Sequence, residues 1–190
     1  IDALDGNVAI KDTTIKTTQN NGGEITVSGK EIKIEGSSKL ISQGEQSGGL
    51  IQIGGSWQNS NPYIRQAVYT EIGEDVFINA SAKDHGNGGE IVIWSDIKNP
   101  FSSTVVSGTF KVDGGALSGD GGRIETSGAN LDIRENISVS MGSTNGNPGK
   151  WLLDPEDYFV TSSVATALVN ALASGDVEIS TTCSSDPYSG

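Results

Sequence analysis

The chain has 190 residues, including 26 glycines, and its 24 acidic and 12 basic side chains give a net charge of −12. Such a surface repels nucleic-acid phosphates and anionic lipid, so we expect no nucleic-acid partner. No apolar run is long enough to span a bilayer, so we also expect no membrane insertion. The chain starts at Ile1 and shows no signal-peptide pattern, so we expect it to be a piece cut from a longer secreted polypeptide, with the signal elsewhere.

A short Gly-Gly unit recurs along the chain. Each copy has two glycines, a variable residue, an aliphatic residue, another variable residue and a second aliphatic or small residue. The copies lie at Gly22–Val27, Gly48–Ile53, Gly88–Ile93 and Gly121–Thr126, with a relaxed copy at Pro148–Leu153. Self-similarity of this kind predicts a stacked repeat architecture. We expect each glycine pair at a corner of the chain, where a positive φ favours glycine.

Each Gly-Gly unit begins a predicted β-strand, because apolar residues alternate with other residues there. The inward side chains are expected to form one column of Ile25, Ile51, Ile91, Ile124 and Trp151, and another of Val27, Ile53, Ile93, Thr126 and Leu153. A second strand of each repeat is expected to stack Ile32, Val76, Phe110 and Leu131, then Ile34, Ile78, Val112 and Ile133. This pattern favours a parallel β-helix; an antiparallel sandwich with hairpins is the alternative.

The spacing of the repeats locates two insertions. The second glycines, Gly23, Gly49, Gly89, Gly122 and Gly149, lie 26, 40, 33 and 27 residues apart. We therefore interpret residues 1–160 as β-helix coils with insertions at about 54–75 and 95–109. Both insertions fall at the same joint of the repeat, and loops at one joint often form the binding face.

The C-terminal part of the chain departs from the repeat. An N-cap cluster at Thr161–Ser163 precedes an apolar stripe, and Gly175 follows it. The stripe contains Val164, Leu168, Val169 and Leu172. We predict a short α-helix within residues 161–176 and the start of a further strand or loop in 177–190. Cys183, the single cysteine, is interpreted as an incidental residue of a polar loop.

Three strings occur in a set order: Gly88–Asp96, Gly121–Gly128 and Gly149–Pro155, the last of which contains Leu-Leu-Asp-Pro. In this order and spacing the chain resembles the filamentous-haemagglutinin-like exoproteins, which are large adhesins of the two-partner secretion pathway in Gram-negative bacteria. The resemblance covers Gly22 to Ile179 and implies an all-β fold, a right-handed parallel β-helix (β-solenoid). It also implies export through an outer-membrane transporter, and adhesion to host cells or other bacteria or carriage of a toxin.

The chain departs from this family in one respect. The family's amino-terminal secretion domain, with its Asn-Pro signature, is not visible, because Asn61-Pro62, Asn99-Pro100 and Asn147-Pro148 stand in other contexts. We therefore expect a rod segment downstream of that domain, with the transporter bound by a region not in this chain. The expected location is secreted or on the cell surface, and the expected role is to extend and display binding regions.

The first insertion holds the candidate binding residues Trp57, Tyr63, Arg65 and Tyr69. Exposed aromatic side chains beside polar groups suit recognition of a glycan or a surface protein. The segment from Trp57 to Asp75 is therefore an alternative binding module. Packing of the same loop back onto the rod is the simpler interpretation.

The remaining motifs favour a non-enzymatic protein. His85 is the only histidine, and Asp84, Asp96, Asp113 and Asp120 are scattered over loops. A β-helical polysaccharide-degrading enzyme, which would need clustered carboxylates, is a distant alternative. One histidine and one cysteine, far apart, argue against a zinc site, and we expect no cofactor. Asn79-Ala80-Ser81 and Asn136-Ile137-Ser138 match the glycosylation acceptor pattern.

Overall fold

Residues 1–17 and 19–181, which the computed structural model describes, form three parallel β-sheets and one short α-helix. The first sheet contains β1 (Asn7–Lys11), β4 (Glu31–Glu35), β7 (Tyr69–Ile72), β10 (Ser103–Val106) and β13 (Asn130–Ile133). The second contains β2 (Thr14–Lys16), β5 (Lys39–Ile41), β8 (Phe77–Asn79), β11 (Thr109–Lys111) and β14 (Ser138–Ser140). The third contains β3 (Glu24–Val27), β6 (Leu50–Ile53), β9 (Glu90–Trp94), β12 (Arg123–Gly128), β15 (Gly149–Pro155) and β16 (Gly175–Ile179).

The strands visit the three sheets in a fixed order. Each set of three successive strands, β1–β3 through β13–β15, places one strand in the first, one in the second and one in the third sheet. We call such a set a layer. Every strand pairs in parallel with the equivalent strand of an adjacent layer, at the usual spacing of about 4.8 Å. The predicted stack of parallel strands is confirmed at this level.

The two predicted inward columns of the third sheet are confirmed. Ile25, Ile51, Ile91, Ile124 and Trp151 pair residue for residue across five strands, and none is more than 6 % exposed. Val27, Ile53, Ile93, Thr126 and Leu153 form the second column in the same way and are buried. The hydroxyl of Thr126, the one polar member, accepts a hydrogen bond from Trp151 Nε1 at 3.1 Å.

The predicted columns of the second strand were wrong, because they joined residues from two different sheets. Ile32 and Ile34 lie in the first sheet, beside Thr70 and Ile72 of β7. Phe110 lies in the second sheet, where it pairs with Ile78 and Val139 of the neighbouring strands. Each layer therefore has three strands, whereas the sequence pattern showed two.

Buried threonines explain why β7 and β10 escaped detection. Thr70 and Thr104 occupy inward positions where an aliphatic residue would have marked a strand, and both are fully buried. The Thr70 hydroxyl donates to Trp94 O at 2.7 Å, and the Thr104 hydroxyl donates to Ser127 O at 2.7 Å. The segments 54–75 and 95–109 contain these two strands, so the connections themselves are 54–68 and 95–102.

The glycine corners are required mainly by close approach between layers. Of the leading glycines, Gly22 has the expected positive φ of 69°, whereas Gly48, Gly88 and Gly121 do not. A Cβ placed on Gly48 would overlap the backbone of Gly89 in the next layer. The pairs thus let successive layers touch backbone to backbone, and the φ argument holds for one corner only.

The predicted C-terminal helix is confirmed as α1 (Ser162–Leu172), which packs against β14 and β16. The Thr161 side chain caps it by accepting from Val164 N–H. The predicted stripe is correct for Val164, which is buried, and for Leu168, which packs against the core. Ala167 and Ala171 complete the buried face, and Leu172 is exposed instead. The small alanines allow close packing, while Val169 remains 65 % exposed. Cys183 lies outside the described residues.

Candidate functional site

The connection 54–68 crosses the outer face of the third sheet, and we call it the covering loop. The Gln58 N–H donates to Glu125 Oε2 of β12 at 2.8 Å. Further along, Arg65 forms an ion pair with Asp5, just before β1, at 2.5 Å. The covering loop therefore touches residues from the first layer to the fourth, unlike the strands, which contact only adjacent layers.

Trp57 lies against the sheet and is half-buried. The guanidinium carbon of Arg123 is 4.1 Å from the centre of a Trp57 ring, which is a close cation–π contact. The same guanidinium donates from Nε to Glu90 Oε2 of the adjacent strand at 2.6 Å. These contacts attach the start of the covering loop to β9 and β12.

The other predicted contact residues lie in different surroundings. Tyr63 projects from the covering loop and is 95 % exposed. Arg65 is also exposed, although its charge is paired. Tyr69 lies in β7, where its hydroxyl donates to Glu71 at 2.8 Å and the Lys33 ammonium sits 5.3 Å from its ring. The structure thus gathers the first three predicted residues into one loop and places Tyr69 on the first sheet.

Glu125 is a buried carboxyl that sequence reasoning missed. It occupies an outward position of β12 but is fully buried, and it accepts hydrogen bonds from Gln58 N–H and from the Ser127 hydroxyl at 2.9 Å. Desolvation raises its pKa to about 7, against the effect of those two hydrogen bonds. The carboxylates of Asp154 and Glu90 add to the rise. This carboxyl therefore gains or loses its proton near neutral pH.

The strands beside Glu125 carry a signal that could have revealed a covered face. Val92 in β9 and Leu152 in β15 are its register partners, and both are buried. β9 reads Glu-Ile-Val-Ile-Trp, and an unbroken apolar run indicates a strand that is covered on both faces. The run does not reveal which segment provides the cover.

Two features beneath and within the covering loop are unusual: a buried amide oxygen left unpaired by the described residues, and a left-handed segment at Gln58 and Asn59 that we call the tip of the loop. Gln52, in the outward column of β6, is 7 % exposed, and its Oε1 has no hydrogen-bond partner among the described residues. Gln58 and Asn59 have φ values of 45° and 50°, in the left-handed region that side-chain-bearing residues rarely occupy. The bond from Gln58 N–H to Glu125 helps to hold this strained tip in place.

A groove of about 970 Å³ runs along the glycine corners that precede the third-sheet strands. Residues before the glycines line it with Asn21, Asn87, Asp120 and Asn147, and residues after them with Glu24, Glu90, Arg123 and Lys150. Three of these side chains form a ladder, in which Asn87 Oδ1 accepts from Asp120 N–H and Asp120 Oδ1 accepts from Asn147 N–H. These side chains therefore support the corner turns that the sequence pattern predicted.

The remaining polar candidates have local structural contacts. His85 Nδ1 lies 3.2 Å from Ser118 Oγ between exposed loops. Asp113 accepts hydrogen bonds from the Ser140 hydroxyl at 2.5 Å and from Gly142 N–H at 3.0 Å. Within residues 1–17 and 19–181, no group of three or more His, Cys, Asp or Glu side chains is placed to hold a metal ion.

The two glycosylation patterns differ in accessibility. Asn79 is 6 % exposed, and its Oδ1 accepts from Ser81 N–H at 2.9 Å. Asn136 is exposed in the turn between β13 and β14, with its Nδ2 donating to Glu74 at 2.9 Å. In the folded chain, a modifying enzyme could therefore reach Asn136 but not Asn79.

No protein-family profile matches this chain, and a search of curated proteins finds no match. In the part of the chain that the structure describes, no helix has both the length and the apolar character needed to cross a membrane.

Proposed function

We propose that the three sheets close into a right-handed parallel β-helix and that the chain is a rod segment of a large secreted bacterial adhesin. The observation that carries this proposal is the constant register of the third sheet, whose inward columns continue from β3 through β15. Stacked repeats contact mainly their neighbours, so stability accumulates layer by layer and length can increase without a larger core. Such a fold suits extension and display.

The proposal also includes how the rod reaches its place of action. The ordered strings that resemble filamentous-haemagglutinin-like exoproteins favour export by an outer-membrane two-partner-secretion transporter. That transporter would bind a region not in this chain. The rod would then stand on the surface of a Gram-negative bacterium, or be released, and display regions that attach to host cells or other bacteria. It would act without catalysis or a cofactor.

Removal of one whole layer tests the rod. Glu90 and Arg123 are register partners, so deletion of residues 90–122 joins Gly89 to Arg123 in register. We expect this shortened chain to fold and to unfold cooperatively on heating. The matched control deletes residues 92–123, which shifts all later residues by one position and turns the core side chains outward. Equal loss of structure in the two deletions would contradict the rod.

The same deletion distinguishes display from binding in the full-length protein. On bacteria that carry the in-register deletion, a pure rod is expected to be displayed normally and to support adhesion with a shorter fibre. Antibody labelling of intact cells measures display, and a cell-attachment assay measures adhesion. Normal display with lost adhesion would assign the deleted layer to binding.

A binding module within Trp57–Asp75 is the second candidate, and one observation favours it. Tyr63 projects from the covering loop with 95 % of its surface exposed. In a segment that only extends and displays, we would expect this ring to pack against the sheet, because burial of an aromatic side chain stabilises the fold. Tyr63→Ala is expected to leave folding intact and to reduce attachment of the displayed protein; unchanged attachment would count against the module.

A further inference from the structure

Two loops at the same joint present an aromatic ring on the same kind of turn. Asn61-Pro62-Tyr63-Ile64 lies in the covering loop, and Asn99-Pro100-Phe101-Ser102 lies in the connection 95–102. Both connections lead from a third-sheet strand to the next first-sheet strand, in successive layers. The chain thus repeats an Asn-Pro-aromatic sequence at equivalent places in the fold.

The hydrogen bonds of the two turns are also equivalent. Asn61 Oδ1 accepts from Tyr63 N–H at 3.0 Å, and Asn99 Oδ1 accepts from Phe101 N–H at 3.1 Å. In both turns the asparagine carbonyl also accepts from the residue three positions later, at 3.2 Å and 2.8 Å. Proline in the second position restricts φ there. Each aromatic residue is therefore carried on a rigid turn rather than on a flexible loop.

Exposed aromatic rings are concentrated at this joint. Tyr63 is 95 % exposed, Phe101 87 % and Phe159, in the segment that follows β15, 85 %. Among the described residues these are the most exposed aromatic side chains, and all three follow a third-sheet strand. Asn130 lies near two of the segments that carry them, since its Nδ2 donates to Pro100 O, next to Phe101, at 2.9 Å and it lines a pocket together with Phe159. We call these three rings the aromatic edge.

The surroundings of the aromatic edge favour a neutral sugar chain. Amide and hydroxyl side chains, Asn59, Ser60 and Asn99, stand close to Tyr63 and Phe101 in the sequence. The pocket beside Phe159 is lined by Asn130 and by the carboxylates of Asp132, Glu156 and Asp157, whereas a protein interface has a contiguous apolar centre. The net charge of −12 disfavours a polyanion. A pyranose presents an apolar C–H face that can lie on an aromatic ring and hydroxyl groups that can bond to amides.

The spacing of two of the rings along the stack suits a linear ligand. The segment with Phe101 leaves the third layer and the segment with Phe159 leaves the fifth, while the covering loop that carries Tyr63 leaves the second layer and reaches from the first to the fourth. Layers are spaced by about 4.8 Å, so the joints of Phe101 and Phe159 are about 10 Å apart along the stack, on the scale of a disaccharide. We propose that the aromatic edge binds a neutral linear polysaccharide. This proposal names a ligand class for the second candidate function and does not depend on the rod.

The test measures binding of the purified chain to insoluble cellulose, chitin and mannan by depletion from solution, with heparin and alginate as polyanionic probes. We expect binding to at least one neutral polysaccharide and a loss of affinity of about tenfold for each of Tyr63→Ala, Phe101→Ala and Phe159→Ala. Because the rings are exposed, thermal unfolding should be unchanged. Leu117→Ala, at a different loop and 61 % exposed in the wild type, is the matched control and should bind normally.

Two further variants test the Asn-Pro turns separately from the aromatic rings. Asn61→Ala and Asn99→Ala keep both rings and the backbone hydrogen bond of each turn but remove the side-chain hydrogen bond, so affinity should fall by less than it does on removal of a ring. Four results would overturn the proposal: no binding to any neutral polysaccharide, stronger binding to the polyanions, undiminished binding by the triple ring variant, or ring-dependent capture of a host surface protein alone. None of these results would contradict the proposal that the chain is a rod segment, because the deletions that test that proposal measure folding.

Discussion

Replacement of Glu125 by glutamine should remove a pH-dependent contribution to stability. The glutamine has the same shape and can still accept the hydrogen bond from Gln58 N–H. The Ser127 hydroxyl, which donates to the carboxylate at 2.9 Å, can rotate to accept from the new amide. Glu125→Gln therefore keeps the packing and removes the charge, so its effect isolates the ionisation of one buried carboxyl.

The size and sign of the effect follow from the pKa. Desolvation raises the pKa of Glu125 from an ordinary 4.5 to about 7 in the folded chain. Between these values the folded chain binds more protons than the unfolded chain, so the free energy of unfolding falls as pH rises through that window. The full difference corresponds to about 3 kcal/mol, present below the lower pKa and lost above the higher one.

Urea unfolding followed by tryptophan fluorescence between pH 4.5 and 8.5 measures this contribution. Wild-type stability should decline toward pH 8, whereas Glu125→Gln should be flatter and more stable than the wild type by about 3 kcal/mol at pH 8. Glu135→Gln, at an exposed site in a turn, is the control and should keep the wild-type slope. An identical slope in Glu125→Gln and wild type would show that this carboxyl does not carry the pH dependence.

Three further substitutions test other contacts by thermal or urea unfolding. Gly89→Ala should destabilise the chain by about 3 kcal/mol, because a Cβ there overlaps backbone in the adjacent layer, whereas Gly142→Ala is a neutral control with its nearest neighbour 3.9 Å away. Thr70→Val should cost about 2 kcal/mol, since the buried Trp94 carbonyl loses a donor; no loss would mean that this bond is dispensable. Trp57→Ala should admit water beneath the covering loop and lower the pKa of Glu125, so that the free energy of unfolding falls over a lower pH range. An unchanged pH range would show that Trp57 does not shield the Glu125 carboxyl.

The third sheet could be predicted residue by residue, whereas the other two could not be separated. An isoleucine stands two positions after each glycine pair in the third sheet, and a second aliphatic or small residue follows two positions later, so period and register were both visible. In the first sheet Thr70 and Thr104 interrupt the apolar column. A threonine is acceptable inside a stack because its hydroxyl reaches a carbonyl of an adjacent segment, and that contact is not visible in local sequence. The insertions consequently looked longer than they are.

Some residues of the candidate site could likewise be predicted from the sequence, and others could not. The irregular repeat spacing located the covering loop and, within it, Trp57 and Tyr63. Glu125 stayed hidden because the residue that covers it, Gln58, is 67 positions earlier in the chain. The repeated Asn-Pro-aromatic turns were visible as sequence, but their equivalence required knowledge that both loops leave the third sheet at the same joint.

The attachments of the covering loop differ in strength and in their dependence on pH. The pair between Arg65 and Asp5 is exposed, and such pairs contribute about 1 kcal/mol at most. The contact of Trp57 with Arg123 is half-buried, and exposed cation–π contacts contribute about 0.5–1 kcal/mol. Covering Glu125 costs little free energy while the carboxyl is protonated and neutral, and much more once it is ionised. Once it ionises, lifting the loop lets water solvate the charge, so opening becomes easier by up to about 3 kcal/mol above pH 7. We therefore expect the covering loop to be held most firmly below the ordinary carboxyl pKa of 4.5 and less firmly as pH rises to about 7.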